Sequence, residues 1–394
     1  MASTNMQIEH DMTLWLTQQR TAMPADLKTH YSTFADLYDR KLWHQLTVAI
    51  EKFSSLAAAS PYLLSLYENF ISDFEKKINP ISLVRFLTNA ARQLKDPKDA
   101  LKFLDTQAEK LQDPATGSKE AFVLATMEAA HYRQMTGDLD GCKKSIDASE
   151  KLLDDLPSTE PVINAAFYRV SANYYKSKMA YQQYYHNALL FLSSVSLDDL
   201  SVQEKQERAY ELSMSALLGE NLYNFGELLM HPILDSLKGT AFEWLRTLLF
   251  QFNTGDMEGF EKICRTGDFL KQPLLVNSLA FLRQKLCLMT LIEAVFKRTK
   301  ELRGRMTFFE ISRETRVSLD EVEHLVMKAL TLGLIRGKID EVDTVVIVTW
   351  VQPRVLDKTQ IKTINDRLEG WSSKILEHVT GLEQEESVKG LLVQ

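Results

Sequence analysis

The chain has 394 residues, 45% of them hydrophobic, which is enough for two or three domains with sizeable cores and excludes a largely disordered protein. Its 46 basic and 53 acidic residues leave a formal net charge of −7, so no chain-wide attraction to phosphate backbones exists and a nucleic-acid contact would need a local basic patch. Cys142, Cys264 and Cys287 are odd in number and far apart, which excludes a disulfide framework or a C-x-x-C site and fits a reducing intracellular compartment.

The opening stretch MASTNMQIEHDMTLWLTQQR lacks the basic start and apolar run of a secretion signal. No segment reaches the roughly 18 unbroken apolar residues of a membrane span. From about residue 8 to 200 one amphipathic helix follows another, broken by polar turns at Ser60-Pro61, at Asn79-Pro80 and in DPATGSK from Asp113. Between Leu83 and Leu94, apolar Leu83, Phe86, Leu87, Ala90, Ala91 and Leu94 keep the three-and-four spacing that lines one helix face. A loose internal echo runs through YDRKLWHQL at Tyr38, YRQMTGDLDGCKKSI at Tyr132, YYKSKMAYQQYYHNAL at Tyr174 and FNTGDMEGFEKI at Phe252. Each predicts a helix with an aromatic residue near its end, a tight turn and a second helix, as in tetratricopeptide-like arrays; an ordinary helical bundle is the competing reading. Farther on, Pro232 after His231 suits a helix start, where its missing N–H is harmless. LAFLRQKLCLMTLIEAVF, from Leu279, is apolar on nearly every side and predicts a central core helix.

Catalytic signatures are missing. The 15 glycines form neither G-x-G-x-x-G nor a P-loop, and G-x-S-x-G does not occur. Histidines stand singly at His10, His30, His44, His131, His186, His231, His324 and His378, without metal-ligand spacing. Acidic pairs at Asp154-Asp155, Asp198-Asp199 and Glu385-Glu386 fall in polar turns or tails, where solvation leaves no means of separating two carboxyl pKa values. The expectation is a protein with no catalytic residue, no cofactor and no metal.

Near the C-terminal end, Thr307 with Glu310 and Ser318 with Glu321 fit the capping box and place two helix starts. The first helix should span Phe308 to Thr315; the second, LDEVEHLVMKALTLG, should stop at Gly333 and bury Val322, Leu325, Val326, Ala329 and Leu330. Strands are expected from Leu334 to Ile339 and from Thr344 to Val351, where the β-branched run VVIVT favours a pleated strand, ended by Pro353. Helix, helix and hairpin make a winged helix, a form many proteins use on DNA. Here the second helix carries Asp320, Glu321 and Glu323 against one Lys328, and the hairpin sets Asp340, Glu341 and Asp343 against Arg336 and Lys338. The concentrated positive stretch is FKRTKELRGR from Phe296 to Arg305, in a linker position. Like charges repel a polyanion, so nucleic-acid binding stays as an alternative and the wing is read as a protein edge with unpaired backbone groups. Its candidate interface residues are Ile335, Ile339, Val346, Val348 and Trp350. Beyond Pro353, Ile361, Ile364, Leu368, Trp371 and Ile375 recur as a coiled-coil-like seam, which needs another helix or its own chain to dock against.

A helical-repeat array running into a winged helix and then a terminal helix resembles the PCI family, found in the proteasome lid, the signalosome and a translation initiation factor. RKLWHQLT, LYENFISDFEKKINPISLV, NFGELLMHPILDSL, DEVEHLVMKALTLGLIRGKIDEVD and TWVQPRVLD look like a lid member of that family over Arg40 to Asp357, and NDRLEGW is similar as well. The resemblance implies a predominantly all-α fold. Residues 1–200 would form the helical-repeat array, 201–304 the helical part of the PCI domain, 305–353 the winged helix with its small β-sheet, 357–380 a bundle helix and 381–394 a tail. It also implies a non-catalytic scaffold of the regulatory-particle lid, in cytoplasm and nucleus, acting in lid assembly and ubiquitin-dependent degradation. Winged helices of the family sit side by side in a horseshoe, which assigns the hairpin to that arc and the Ile361-to-Ile375 seam to a helix bundle. Implied partners are other lid subunits of PCI and MPN types and a ubiquitin receptor, in a hetero-oligomer without nucleic acid or membrane. A PCI subunit of the signalosome or initiation factor is the sister alternative.

Overall fold

The computed structural model describes residues 15–19, 25–112, 118–298, 305–353 and 358–384, and the chain divides into two compact units between Ser201 and Val202. In the first unit the principal helices are α1 (Ala25–Asp39), α2 (Trp43–Ser54), α3 (Pro80–Ala91), α4 (Pro97–Gln112), α5 (Lys119–Thr136), α6 (Leu139–Asp154), α7 (Pro161–Ser177) and α8 (Tyr181–Ser194). The second contains α9 (Val202–Leu218), α10 (Glu243–Thr254), α11 (Met257–Cys264), α12 (Leu279–Lys297), β1 (Met306–Thr307), α13 (Phe308–Thr315), α14 (Leu319–Thr331), β2 (Ile335–Asp340), β3 (Val345–Val351) and α15 (Lys358–Gln384).

The echoed segments are helical hairpins closed by one bond pattern. At each turn a residue in the left-handed region, Lys41, Gly137, Met179 or Gly255, ends the first helix. Its N–H donates to the carbonyl three residues back and the next N–H donates five back: Gly137 to Gln134 and Asp138 to Arg133, Gly255 to Phe252 and Asp256 to Gln251. Lys41 and Met179 repeat the scheme. This closure satisfies carbonyls that a helix end otherwise strands. Two of the turns share a further design, Thr-Gly-Asp followed by an apolar residue, an acid and glycine, at 136–141 and 254–259. Asp138 and Asp256 cap the next helix by accepting from the N–H of Gly141 and Gly259. A Cβ on either of those glycines would lie 2.2 or 2.4 Å from the capping carboxylate, so the small residue three places after the turn is part of the cap.

Helix α3 serves two cores. Leu83, Phe86, Leu87, Ala90 and Ala91 pack with α1, α2 and an aromatic group that includes Tyr31, Phe34, Phe53, Phe70 and Phe74, while Ile81 and Val84 face a second core with α5, α6 and α7. Leu94 lies past the end of the helix and is only partly buried. Pro232 opens a 3-10 turn, Pro232–Leu237, and His231 caps it by accepting from the Ile233 N–H at 3.2 Å through Nδ1.

Helix α12 is buried over most of its length, and the apolar run predicts this. The composition does not predict what one of its charges does. Lys285 is 1% exposed, and its Nζ donates to the carbonyls of Ala216, Leu217 and Gly219 at 2.7, 3.1 and 2.7 Å. Those oxygens end α9, where the helix dipole is negative, and the rings of Tyr223, Phe225 and Phe281 surround the ammonium at 5.1 to 5.8 Å. Burial pushes the group down to about 7, and the carbonyls oppose that effect by stabilising its charge. Lys285→Met keeps the stem but strands three acceptors, and should cost about 2–3 kcal/mol of stability. Chemical denaturation of the wild type and the variant measures this directly.

Candidate protein-interaction surfaces

The winged helix begins with the predicted capping box. Thr307 Oγ1 accepts from the Glu310 N–H at 3.3 Å, and Glu310 Oε2 accepts from the Thr307 N–H at 3.1 Å. Arg298 Nη1 reaches the same Glu310 oxygen at 3.0 Å, and this ion pair is the main reason the carboxyl titrates below its usual range. The second box does not form. Ser318 caps nothing through its hydroxyl, which is left at the exposed surface, and its carbonyl alone accepts from the Glu321 N–H at 3.0 Å. Gly333 ends α14 in the left-handed region with the same double closure as the hairpins, its N–H to Leu330 and that of Leu334 to Ala329.

The sheet order is β1-β3-β2, with β3 antiparallel to both neighbours. That order changes the reading of the hairpin. Val346 and Val348 belong to the central strand and are buried, and Ile335 is buried as well. Period-two alternation turns their side chains toward the domain's own apolar core, so they cannot present side chains to a partner. Ile339 is half-buried. Trp350 is exposed, with the Arg336 guanidinium 4.7 Å from its ring centroid. The open edges are the two-residue β1 and the longer β2. A register shift between Arg336 and Gly337 bends β2, and Thr349 Oγ1 bonds the Arg336 carbonyl at 3.0 Å beside it. Gly337 is obligatory there, because a Cβ would sit 2.1 Å from the Ile347 carbonyl oxygen.

The seam on α15 is uncovered. Ile361, Ile364, Leu368, Trp371 and Ile375 are all exposed, Trp371 by 64%, and every described side chain of the helix is exposed with them. Leu376 and Val379 extend the stripe at its C-terminal end, one by broadening it and the other by prolonging it. The strict seam spacing passes over both. Phe309, Leu319, Met327 and Val342 are further exposed apolar side chains on the winged helix that sequence reading missed. The only available signal was an apolar residue in polar company: Val342, 94% exposed, interrupts the acidic tip Asp340, Glu341, Asp343.

Among the described residues, several of the basic side chains on and beside this domain are paired, and the exposed acids of α14 are of the wrong sign for phosphate. Asp320 and Glu321 are exposed on α14, and Lys328 donates to Gln284 at 2.6 Å. Arg305 pairs with Asp343 at 3.3 Å, and Lys297 lies 3.6 Å from Glu293. The rest of the basic run, 299–304, lies outside the described residues, as do Asp357 and the tail from 385. Among the described residues no group of three or more His, Cys, Asp or Glu side chains could hold a metal, and no helix is long and apolar enough to cross a membrane.

Comparison with known proteins covers nearly the whole chain. Residues 30–249 match the family of PSD13 N-terminal repeats, and residues 264–350 match the PCI domain. The chain is 40% identical over 383 residues to 26S proteasome non-ATPase regulatory subunit 13 homolog B of Arabidopsis thaliana, covering 96% of this chain and 98% of that protein. It is 40% identical to the probable 26S proteasome regulatory subunit rpn9 of Schizosaccharomyces pombe, over 93% of this chain and 94% of the relative. A Saccharomyces cerevisiae relative, 26S proteasome regulatory subunit RPN9, is 37% identical over 90% and 92% of the two chains.

Two measurements test the geometry of the wing. Gly337→Ala should force β2 from β3 at a cost of about 1–3 kcal/mol, read as faster amide exchange confined to the hairpin. Because the Glu310 carboxyl titrates below its unfolded value of 4.5, its stabilisation is present above that pH and lost as pH falls through the folded value. Thermal melts should therefore fall less steeply for Glu310→Gln than for the wild type between about pH 5 and about pH 3.

Proposed function

This chain belongs to the family of 26S proteasome non-ATPase regulatory subunit 13, and from that premise we propose that it is a non-catalytic scaffold subunit of the proteasome regulatory-particle lid. The observation that carries the reading is full-length similarity to relatives named as regulatory, non-ATPase subunits, combined with a PCI domain whose terminal helix leaves its apolar seam open. A helix of this kind gains little by standing alone in water. Each large apolar side chain buried against a partner contributes about 1.5–3 kcal/mol, so Leu368 and Trp371 together can decide assembly.

In this reading the β2 edge, with Ile339, Trp350 and Val342 near it, meets a neighbouring winged helix, and the stripe from Ile361 to Val379 enters a bundle of C-terminal helices. Neighbours would be PCI- and MPN-type lid subunits, with a ubiquitin receptor near the repeats, in cytoplasm and nucleus. The buried side chains of Ile335, Val346 and Val348 act through the fold of the wing, and Ile335 offers a partner only its place on the β2 backbone edge. Similarity at 37 to 40% over nearly the full chain favours the lid over sister complexes built on the same domain.

Removing residues from Asp357 onward, or making Leu368→Asp with Trp371→Asp, should lower incorporation into the assembled particle by at least about tenfold. Native gels with quantitative mass spectrometry of the purified particle give the readout. Unchanged incorporation would remove the helix-bundle part of the proposal.

A further inference from the structure

Trp350 stands where strand alternation would not put it. Val346 and Val348 on β3 are buried, so a regular strand would turn Trp350 inward with them. The pairing instead steps from Gly337 opposite Val348 to Arg336 opposite Trp350, and Thr349 is the extra residue of that bulge. A bulge re-aims the side chain that follows it, and Trp350 emerges on the outer face of the sheet, 38% exposed. There the Arg336 guanidinium lies 4.7 Å from its ring centroid. Stacking occupies one face of a guanidinium and leaves the N–H groups of its rim for another acceptor. Lys338, two residues on, is exposed on the same side of β2. Among the described residues neither basic side chain makes an ion pair or a side-chain hydrogen bond. The nearest acid along the strand, Asp340, is turned to its own hairpin, where Oδ1 accepts from the Asp343 N–H at 3.2 Å.

We propose that this face takes an acidic, extended segment of a neighbouring subunit, which pairs along the open edge of β2 and sets one carboxylate on the Arg336 guanidinium and a second, two residues on, at Lys338. The inference rests on the lid reading and deepens it by naming the chemistry of the segment that meets the wing. Residues two apart on a strand are about 7 Å apart on one face, so carboxylates at alternate positions of an added strand match the two bases. Arg336 on Trp350 is held ready for a two-pronged carboxylate contact, and tryptophan and arginine are the residue types that most often carry an interface. The same charges repel the β2 edge of a second copy, which brings Arg336 and Lys338 of its own. Asp340, Glu341 and Asp343 at the end of the hairpin repel a phosphate backbone and favour a peptide over a nucleic acid.

The full-length chain is titrated into fluorescent peptides of alternating Thr and Val that carry Glu, Gln or Lys at two alternate central positions, and into a single-stranded RNA with the same label. By anisotropy the Glu peptide should bind about tenfold tighter than the Gln peptide, and the Lys peptide more weakly still. Hydrogen exchange should slow at the β2 amides when the Glu peptide is bound. Arg336→Gln with Lys338→Gln should abolish the preference, and since both side chains are exposed the double variant should melt with the wild type. Trp350→Leu should weaken the Glu peptide about threefold, because the guanidinium loses its support. Equal binding of the Glu and Gln peptides, binding of none, tighter binding of the RNA, or an unchanged preference in the double variant overturns the proposal. A chain that enters the particle without preferring the Glu peptide overturns this inference alone; one that prefers it yet stays out of the particle overturns the lid reading.

Discussion

The C-terminal unit is organised by the cost of hiding a helix end from water. Helix α9 finishes inside the unit, where its last carbonyls have no helical N–H to accept from, and Lys285 of α12 supplies the donors. That contact joins two helices far apart in sequence through charge, dipole and aromatic faces together. With α12 so held, Thr290 can bond the Gly255 carbonyl at 3.1 Å, and Cys287 faces the Thr315 carbonyl at the end of α13. The winged helix is thus seated on the same helix that closes the repeat-like hairpin α10–α11.

The same problem is solved repeatedly elsewhere by a left-handed residue and two backward hydrogen bonds. Glycine takes this conformation without penalty at Gly137 and Gly255; Lys41 and Met179 adopt it at a steric cost of about 1–2 kcal/mol that packing of the hairpins must offset. A repeat defined by such closure tolerates wide variation in side chains. This explains why the four segments share shape while sharing little sequence.

Interaction surfaces on this chain follow from what its folding leaves unused. The wing buries the inward residues of β3 and leaves β2 as an edge; α15 buries none of its described side chains and leaves a stripe of seven apolar ones, Ile361, Ile364, Leu368, Trp371, Ile375, Leu376 and Val379. A scaffold subunit works through such surfaces.

Periodicity and turn chemistry in the sequence were sufficient for the helical class, the hairpin echoes, the buried α12, the capping box at Thr307 and the seam on α15, because these depend on residues within one or two turns of each other. The family membership was legible too, since whole segments from Arg40 to Asp357 carry it. Strand order was not legible: a hairpin reads the same whether its second strand is central or at the edge, and only β1, arriving from before α13, makes β3 central and withdraws Val346 and Val348 from the surface. Lys285 and Gly337 were equally hidden. Each takes its meaning from a neighbour brought by the tertiary fold, a helix end or a facing carbonyl, and no local pattern records those distances.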